Sequence, residues 1–150
     1  MSALAGLPDW LLATLVVVGF LAILFGWAWR NTKNQIKKTL SRRTNPTRDG
    51  FLQMMAPDVS REASEFIWES ALPCLGYYKQ ELTPHPDDHL VDDLPIDDDE
   101  WSLDWPRDWS DRIGIHESNL PDWPEGWAVT IRNFGRWLDL GSQYPLSPRT

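Results

Sequence analysis

The sequence predicts an all-α chain, with one membrane-spanning helix followed by a small three-to-four-helix bundle. Three observations predict it. Residues 10–29, WLLATLVVVGFLAILFGWAW, run for twenty positions without a charge. Downstream, apolar residues recur every three or four positions in separate stretches, and no clear alternating pattern of a strand is visible. The full length of 150 residues allows one ordinary domain beside such an anchor.

The anchor comes first. At about 1.5 Å rise per residue, a helix over residues 10–29 spans a hydrocarbon core of roughly 30 Å. Trp10 stands at one end and Trp27 and Trp29 at the other, where indole rings favour the headgroup layer. The preceding tail, residues 1–9, carries only Asp9, whereas Arg30, Lys33, Lys37 and Lys38 follow the apolar run. The positive-inside rule then predicts a single-pass inner (cytoplasmic) membrane protein with its C-terminal domain in the cytoplasm. A cleavable signal peptide fits poorly, because the positive charge follows the apolar run and that run is long. A buried soluble helix would rarely be uninterrupted for so many residues. Ala22 and Gly26 form a small-xxx-small pair that suits close helix packing, a pattern also common by chance.

Charge divides the rest. Residues 30–48 hold seven Lys/Arg and no acid, whereas residues 51–150 hold seven Lys/Arg against twenty Asp/Glu. The acidic part would repel phosphates, so nucleic acid is excluded as its expected ligand. Membrane lipid suits the basic belt, and a protein with a basic patch suits the domain. Cys74 is the single cysteine, so no intrachain disulfide is possible.

Residues 30–56 read as a basic juxtamembrane linker, broken by Pro46 and Asp49-Gly50, with only Ile36 and Leu40 as a thin apolar stripe. The domain covers residues 57–141. Asp58 or Ser60 is expected to cap its first helix. Val59, Ala63, Phe66, Ile67 and Ala71 give that helix its inward face, and Pro73 its end. Pro84, Pro86 and Pro95 make residues 82–96 a long loop whose Leu90, Val91, Leu94 and Ile96 plug into the core. A second helix is expected near Asp97-Asp98-Asp99-Glu100, whose charges suit a helix N-terminus. Trp101, Trp105, Trp109 and Ile113 follow at intervals of four, with Pro106 imposing a kink or break. After a Pro- and Trp-containing connector around Trp123, Thr130 caps a last helix that places Ile131, Phe134, Trp137 and Leu138 inward. Gly141 stops that helix, and residues 142–150 form a flexible tail. Seven of the ten tryptophans fall in this small domain, where large rings are needed to build a core.

The order of helix, long loop, acidic helix, connector and short final helix resembles the acyl carrier superfamily. The resemblance rests on Leu82-Thr83-Pro84, on Leu90-Val91-Asp92-Asp93-Leu94-Pro95-Ile96-Asp97, and on Thr130-Ile131-Arg132-Asn133-Phe134. It covers nearly all of the soluble part and looks most like an uncharacterised bacterial branch of carrier-like proteins. It implies an acyl-carrier-like bundle with an acidic second helix that docks on basic patches of partner proteins. In the ungapped register Asp98 occupies the position of the family's phosphopantetheine serine. A carboxylate cannot form that phosphodiester, so the resemblance implies a scaffold without its prosthetic group. In a rival register Ser102-Leu103-Asp104 supplies the serine, after an insertion of four residues. Pro106 would then interrupt the first turns of the recognition helix.

Other chemistries are poorly supported. The loop DDLPIDDDEWSL lacks the central Gly of a calcium-binding EF-hand. His85 and His89 are separated by prolines and carboxylates, and His116 is remote, so no zinc site is expected. Paired acids for glycoside hydrolysis need a cleft that a bundle this small seldom provides. Cys74 beside Pro73 reads as a small core residue.

The expected function is therefore a non-catalytic, membrane-tethered, acyl-carrier-like module. It binds a protein partner through Asp97, Asp98, Asp99, Glu100, Asp104 and Asp108, and it needs no metal and no cofactor. The alternatives are a genuine membrane-anchored acyl carrier modified with phosphopantetheine at Ser102, or a membrane-bound inhibitor of the immunity type. Trp10, Trp27, Trp29, Arg30, Lys33, Lys37 and Lys38 are the expected anchor residues.

Overall fold

The computed structural model describes residues 8–76 and 82–143. The expected tails therefore fall largely outside the described residues, at 1–7 and 144–150. The chain divides into two compact units, Met1–Asn34 and Gln35–Thr150. Among the described residues it is all-helical, apart from one isolated antiparallel bridge between His89 and Thr130.

The first unit holds most of α1 (Asp9–Arg42). This helix is long and apolar enough to cross a membrane. Its large side chains face outward, with Val16, Ile23 and Phe25 all at least 70% exposed. Such a surface suits lipid, since no core covers it. The hydroxyls inside the helix are satisfied locally: Thr14 donates to the Trp10 carbonyl at 2.8 Å and Thr32 to that of Ala28 at 3.1 Å.

The second unit begins earlier than the expected boundary at residue 57. The helix does not stop at Trp29 but continues to Arg42, and its end belongs to the folded domain. Ile36 and Thr39 are buried. Thr47 then caps α2 (Arg48–Met55), its Oγ1 accepting from the Gly50 amide at 3.2 Å, and Phe51 and Met55 are fully buried. The expectation of a basic juxtamembrane linker over residues 30–56 is thus corrected from Gln35 onward. A charged helix can bury the few apolar side chains on one face and still be polar on average.

Ser60, not Asp58, caps α3 (Arg61–Gly76): its Oγ accepts from the Ala63 amide at 3.2 Å. The Asp139 carboxylate holds this cap, accepting from the Ser60 amide at 2.6 Å and from its hydroxyl at 2.5 Å. Pro73 does not end α3, which carries on to Gly76 and delivers Leu75 to the core. Proline removes one hydrogen bond, and the buried face outweighs it.

The helical run after the loop starts at Asp98 and opens into a π-helical turn, Glu100–Asp104, before α4 (Trp105–Ile113). The Trp105 amide reaches back five residues, to the Glu100 carbonyl. Pro106 lies in the first turn of α4 rather than at a break. The widened turn makes room for its ring, which would otherwise press on the preceding turn. A short 3-10 turn, Glu117–Asn119, follows. Thr130 then caps α5 (Ile131–Ser142), accepting from the Asn133 amide at 3.3 Å.

Gly141 is not a stop. It is buried inside α5, where an added Cβ would lie 2.3 Å from Leu120 Cδ2. Close approach, not left-handed backbone, explains the glycine. Gly114, at φ 71°, is the residue that ends a helix in the left-handed region, closing α4.

The core is aromatic. Trp109 packs on Phe66 with ring centroids 5.2 Å apart, and Phe134 meets Trp105 at 5.8 Å and Trp137 at 5.6 Å. Leu90, Leu94 and Ile96 enter this core as expected, but Val91 remains 42% exposed. Trp123 lies against Trp137 at 5.8 Å and donates its indole N–H to the Trp127 carbonyl at 3.2 Å.

Candidate functional site

The acidic helix is held by its tryptophans. Trp101 meets Phe134 edge-on at 6.5 Å, and Trp105 and Trp109 are buried. With this face turned inward, the opposite face must carry the charges. Asp97, Asp98, Asp99 and Asp108 are exposed, as is Asp111, whereas Glu100 and Asp104 are half-buried. The structure therefore places five of the six expected contact residues on one helical run and Asp97 immediately before it, with Asp97, Asp98, Asp99 and Asp108 exposed.

Neutralisation of this face is sparse. Arg107 pairs with Asp104, and Arg112 turns back to Glu69 at 2.9 Å. Asp98 accepts from the Trp101 indole N–H at 3.2 Å. Asp97, Asp99, Asp108 and Asp111 have no ion pair among the described residues. Their charges stand in water, where they weaken with salt.

Leu103 was not anticipated by sequence reasoning. It is 55% exposed, and in the folded unit Val91 is its one companion among exposed large hydrophobics of the described residues. The four-residue spacing of the flanking tryptophans explains it. Trp101 and Trp105 both face the core, so the residue midway between them points away. Three consecutive residues, Ser102, Leu103 and Asp104, lie between those tryptophans, which was the legible signal.

Ser102 is exposed, and its Oγ donates to the Asp98 carbonyl at 2.6 Å. It therefore lies a full turn inside the helical run, whose first residue is Asp98. Cys74 packs beside this helix. Burial, followed by the neighbouring Glu100 carboxylate, pushes its thiol up to about 12, which leaves it a poor nucleophile.

Sequence reasoning also missed the polar cluster that fixes the loop over residues 82–96. Arg43 grips Asp88 with Nε to Oδ1 at 2.9 Å and Nη2 to Oδ2 at 2.5 Å, and its Nη2 also donates to the Thr83 carbonyl at 2.8 Å. Arg132 donates to the Met54 carbonyl and to Asp58, each at 2.8 Å, and to Asp87 at 3.3 Å. Backbone bonds join the loop to the start of α5: Ile131 to the Asp88 carbonyl at 3.0 Å, and Leu90 to that of Val129 at 2.9 Å. Asp93 joins the same cluster. Burial pushes its carboxyl up, but the His89 backbone N–H and Arg42 outweigh burial and hold it below the usual carboxylate value.

His85 and His89 do not converge on a metal geometry. Each ring Nδ1 accepts a local backbone N–H, from Asp87 at 3.2 Å and from Asp92 at 3.4 Å. Among the described residues no group of three His, Cys, Asp or Glu is placed to hold a metal ion.

Of the expected anchor residues, Trp10 lies at the start of α1 and the others lie within it, between Trp27 and Lys38. Trp10 and Trp27 are more than two-thirds exposed, and Lys33 lies over the Trp29 ring at 5.4 Å. Arg30, Lys37 and Lys38 are exposed.

Compared with known proteins, the chain matches no family model, no curated protein and no solved structure.

Proposed function

We propose that the chain is a membrane-tethered, non-catalytic module that docks a protein partner through its acidic helix. The observation that carries this reading is the open face of that helix. Asp97, Asp99 and Asp108, exposed and without an ion pair among the described residues, share this stretch with an exposed Leu103, a combination of charge and apolar surface that suits a docking face. A partner with a basic patch and an apolar notch complements it. The acyl-carrier-like bundle belongs to the same proposal. Helix α3, a long loop, an acidic helix, a short turn and α5 follow in the order the resemblance implies. Asp98 opens the acidic helix, where a carrier would display its serine.

The basic side chains after the apolar run favour a cytoplasmic location for the domain. Anchoring raises its effective concentration near other membrane proteins without any new contact. The test is cross-linking and co-purification of the full chain from native membranes. Asp97→Lys with Asp99→Lys should abolish capture of the partner; undiminished capture would refute the docking face.

The exposure of Ser102 favours a second reading, a carrier modified with phosphopantetheine there. Intact mass after incubation with a phosphopantetheinyl transferase separates the two. A pantetheine adduct that disappears in Ser102→Ala establishes the carrier, and an unmodified mass leaves the docking module.

A further inference from the structure

The last two turns of α1 spend their inward side chains on one short stretch of the loop. Gln35 Nε2 donates to the carbonyls of Val91 and Leu94, each at 3.2 Å, and Thr39 Oγ1 lies 2.7 Å from that of Asp93. Arg42 pairs with the Asp93 carboxylate and Arg43 with Asp88. Ile36 and Thr39 are buried beneath them. The stretch they hold forms turns, not regular structure, so its carbonyls need partners from elsewhere in the fold. Leu94 is three residues from Asp97, and from Asp97 four carboxylates stand consecutively. Like charges so close repel one another, and they keep a fixed layout only if the backbone leading into them is fixed.

We propose that residues 35–43 are a strap that presets the acidic docking face. Its seating decides whether the segment from Asp88 to Glu100 is ordered before a partner arrives. This role rests on the docking reading only for its purpose, not for its mechanics. The grip is mostly polar, with two side chains on three backbone carbonyls and two ion pairs, and Ile36 is the one large apolar residue buried within it. Such an element opens locally, without unfolding the aromatic core behind it.

Amide hydrogen exchange on the full chain in detergent micelles tests the strap. Gln35→Leu with Thr39→Val removes the carbonyl contacts while keeping bulk. Exchange over residues 88–100 should accelerate about tenfold, with α3 and α5 unchanged. Thr39→Ser, which keeps the hydroxyl, should restore most of the protection when combined with native Gln35. Unchanged exchange over residues 88–100 would overturn the strap, and so would an equal rise throughout the domain. The docking reading is judged separately, by whether Asp97→Lys with Asp99→Lys still captures a partner, so either idea can fail alone.

Discussion

Arg43 and Asp88 form a two-point ion pair across forty-five residues of sequence, with side chains only 12% and 5% exposed. The pair fixes the loop over residues 82–96 against the folded end of α1. Asp88 has further work, since its Oδ2 accepts from the His85 amide at 3.0 Å. Removing one partner leaves the other charge buried and unpaired. Arg43→Ala or Asp88→Ala should each lower stability by about 3 kcal/mol, measured by urea unfolding in detergent. A loss near zero would mean that the loop is held by its apolar residues alone.

Asp93 gives the domain an acid-sensitive point. Its carboxyl is held below the usual value, so its contribution to stability is complete above the unfolded value near about pH 4. As pH falls through the lower, folded value, the proton taken up breaks the contacts to His89 and Arg42, and the contribution is lost. Unfolding midpoints should drop more steeply below about pH 4 in the native chain than in Asp93→Asn. Parallel slopes would show that Asp93 is not a linked group.

Leu103→Ser separates docking from folding. The side chain is more than half exposed, so stability should change by less than about 0.5 kcal/mol. Under the docking proposal, partner capture should weaken about tenfold. Unchanged affinity would restrict recognition to charge.

Gly135 is required by packing. A Cβ there would meet Val59 Cγ1 at 2.7 Å, Met55 Cε at 3.0 Å and Ile67 Cδ1 at 3.1 Å. Gly135→Ala should cost about 1–3 kcal/mol in an unfolding titration despite its gain in helix propensity. A more stable variant would show that the α3–α5 contact is loose.

Cys74 should resist alkylation. With its thiol raised to about 12, almost no thiolate exists in the folded chain at pH values where an ordinary cysteine near about 8.5 is partly ionised. Iodoacetamide labelling at about pH 8, followed by mass, should run more than about a hundredfold slower in the folded chain than in denaturant. Equal rates would place the thiol in solvent.

Much of the local structure was legible. An uncharged run of twenty residues is a helix because nothing else satisfies its backbone in an apolar medium. Thr130 marked the start of α5, and the Trp101-Trp105-Trp109 spacing marked the inward face of the acidic helix, because caps and periodicity are written in neighbouring residues. Where two neighbours competed, the reading went wrong. Pro73 and Gly141 looked like terminators, yet the buried faces of α3 and α5 carried both helices past them.

What the sequence by itself determined is thus the helical class, the long apolar helix and the acidic character of one helix. Tertiary structure alone decided that residues 35–56 belong to the domain, that Asp88 and Asp93 face Arg43 and Arg42, and that Leu103 is left in solvent. The physical reason is distance along the chain. A basic, thinly apolar stretch has no partner until folding brings a loop some fifty residues away against it. Only then do its few buried side chains outweigh its charge.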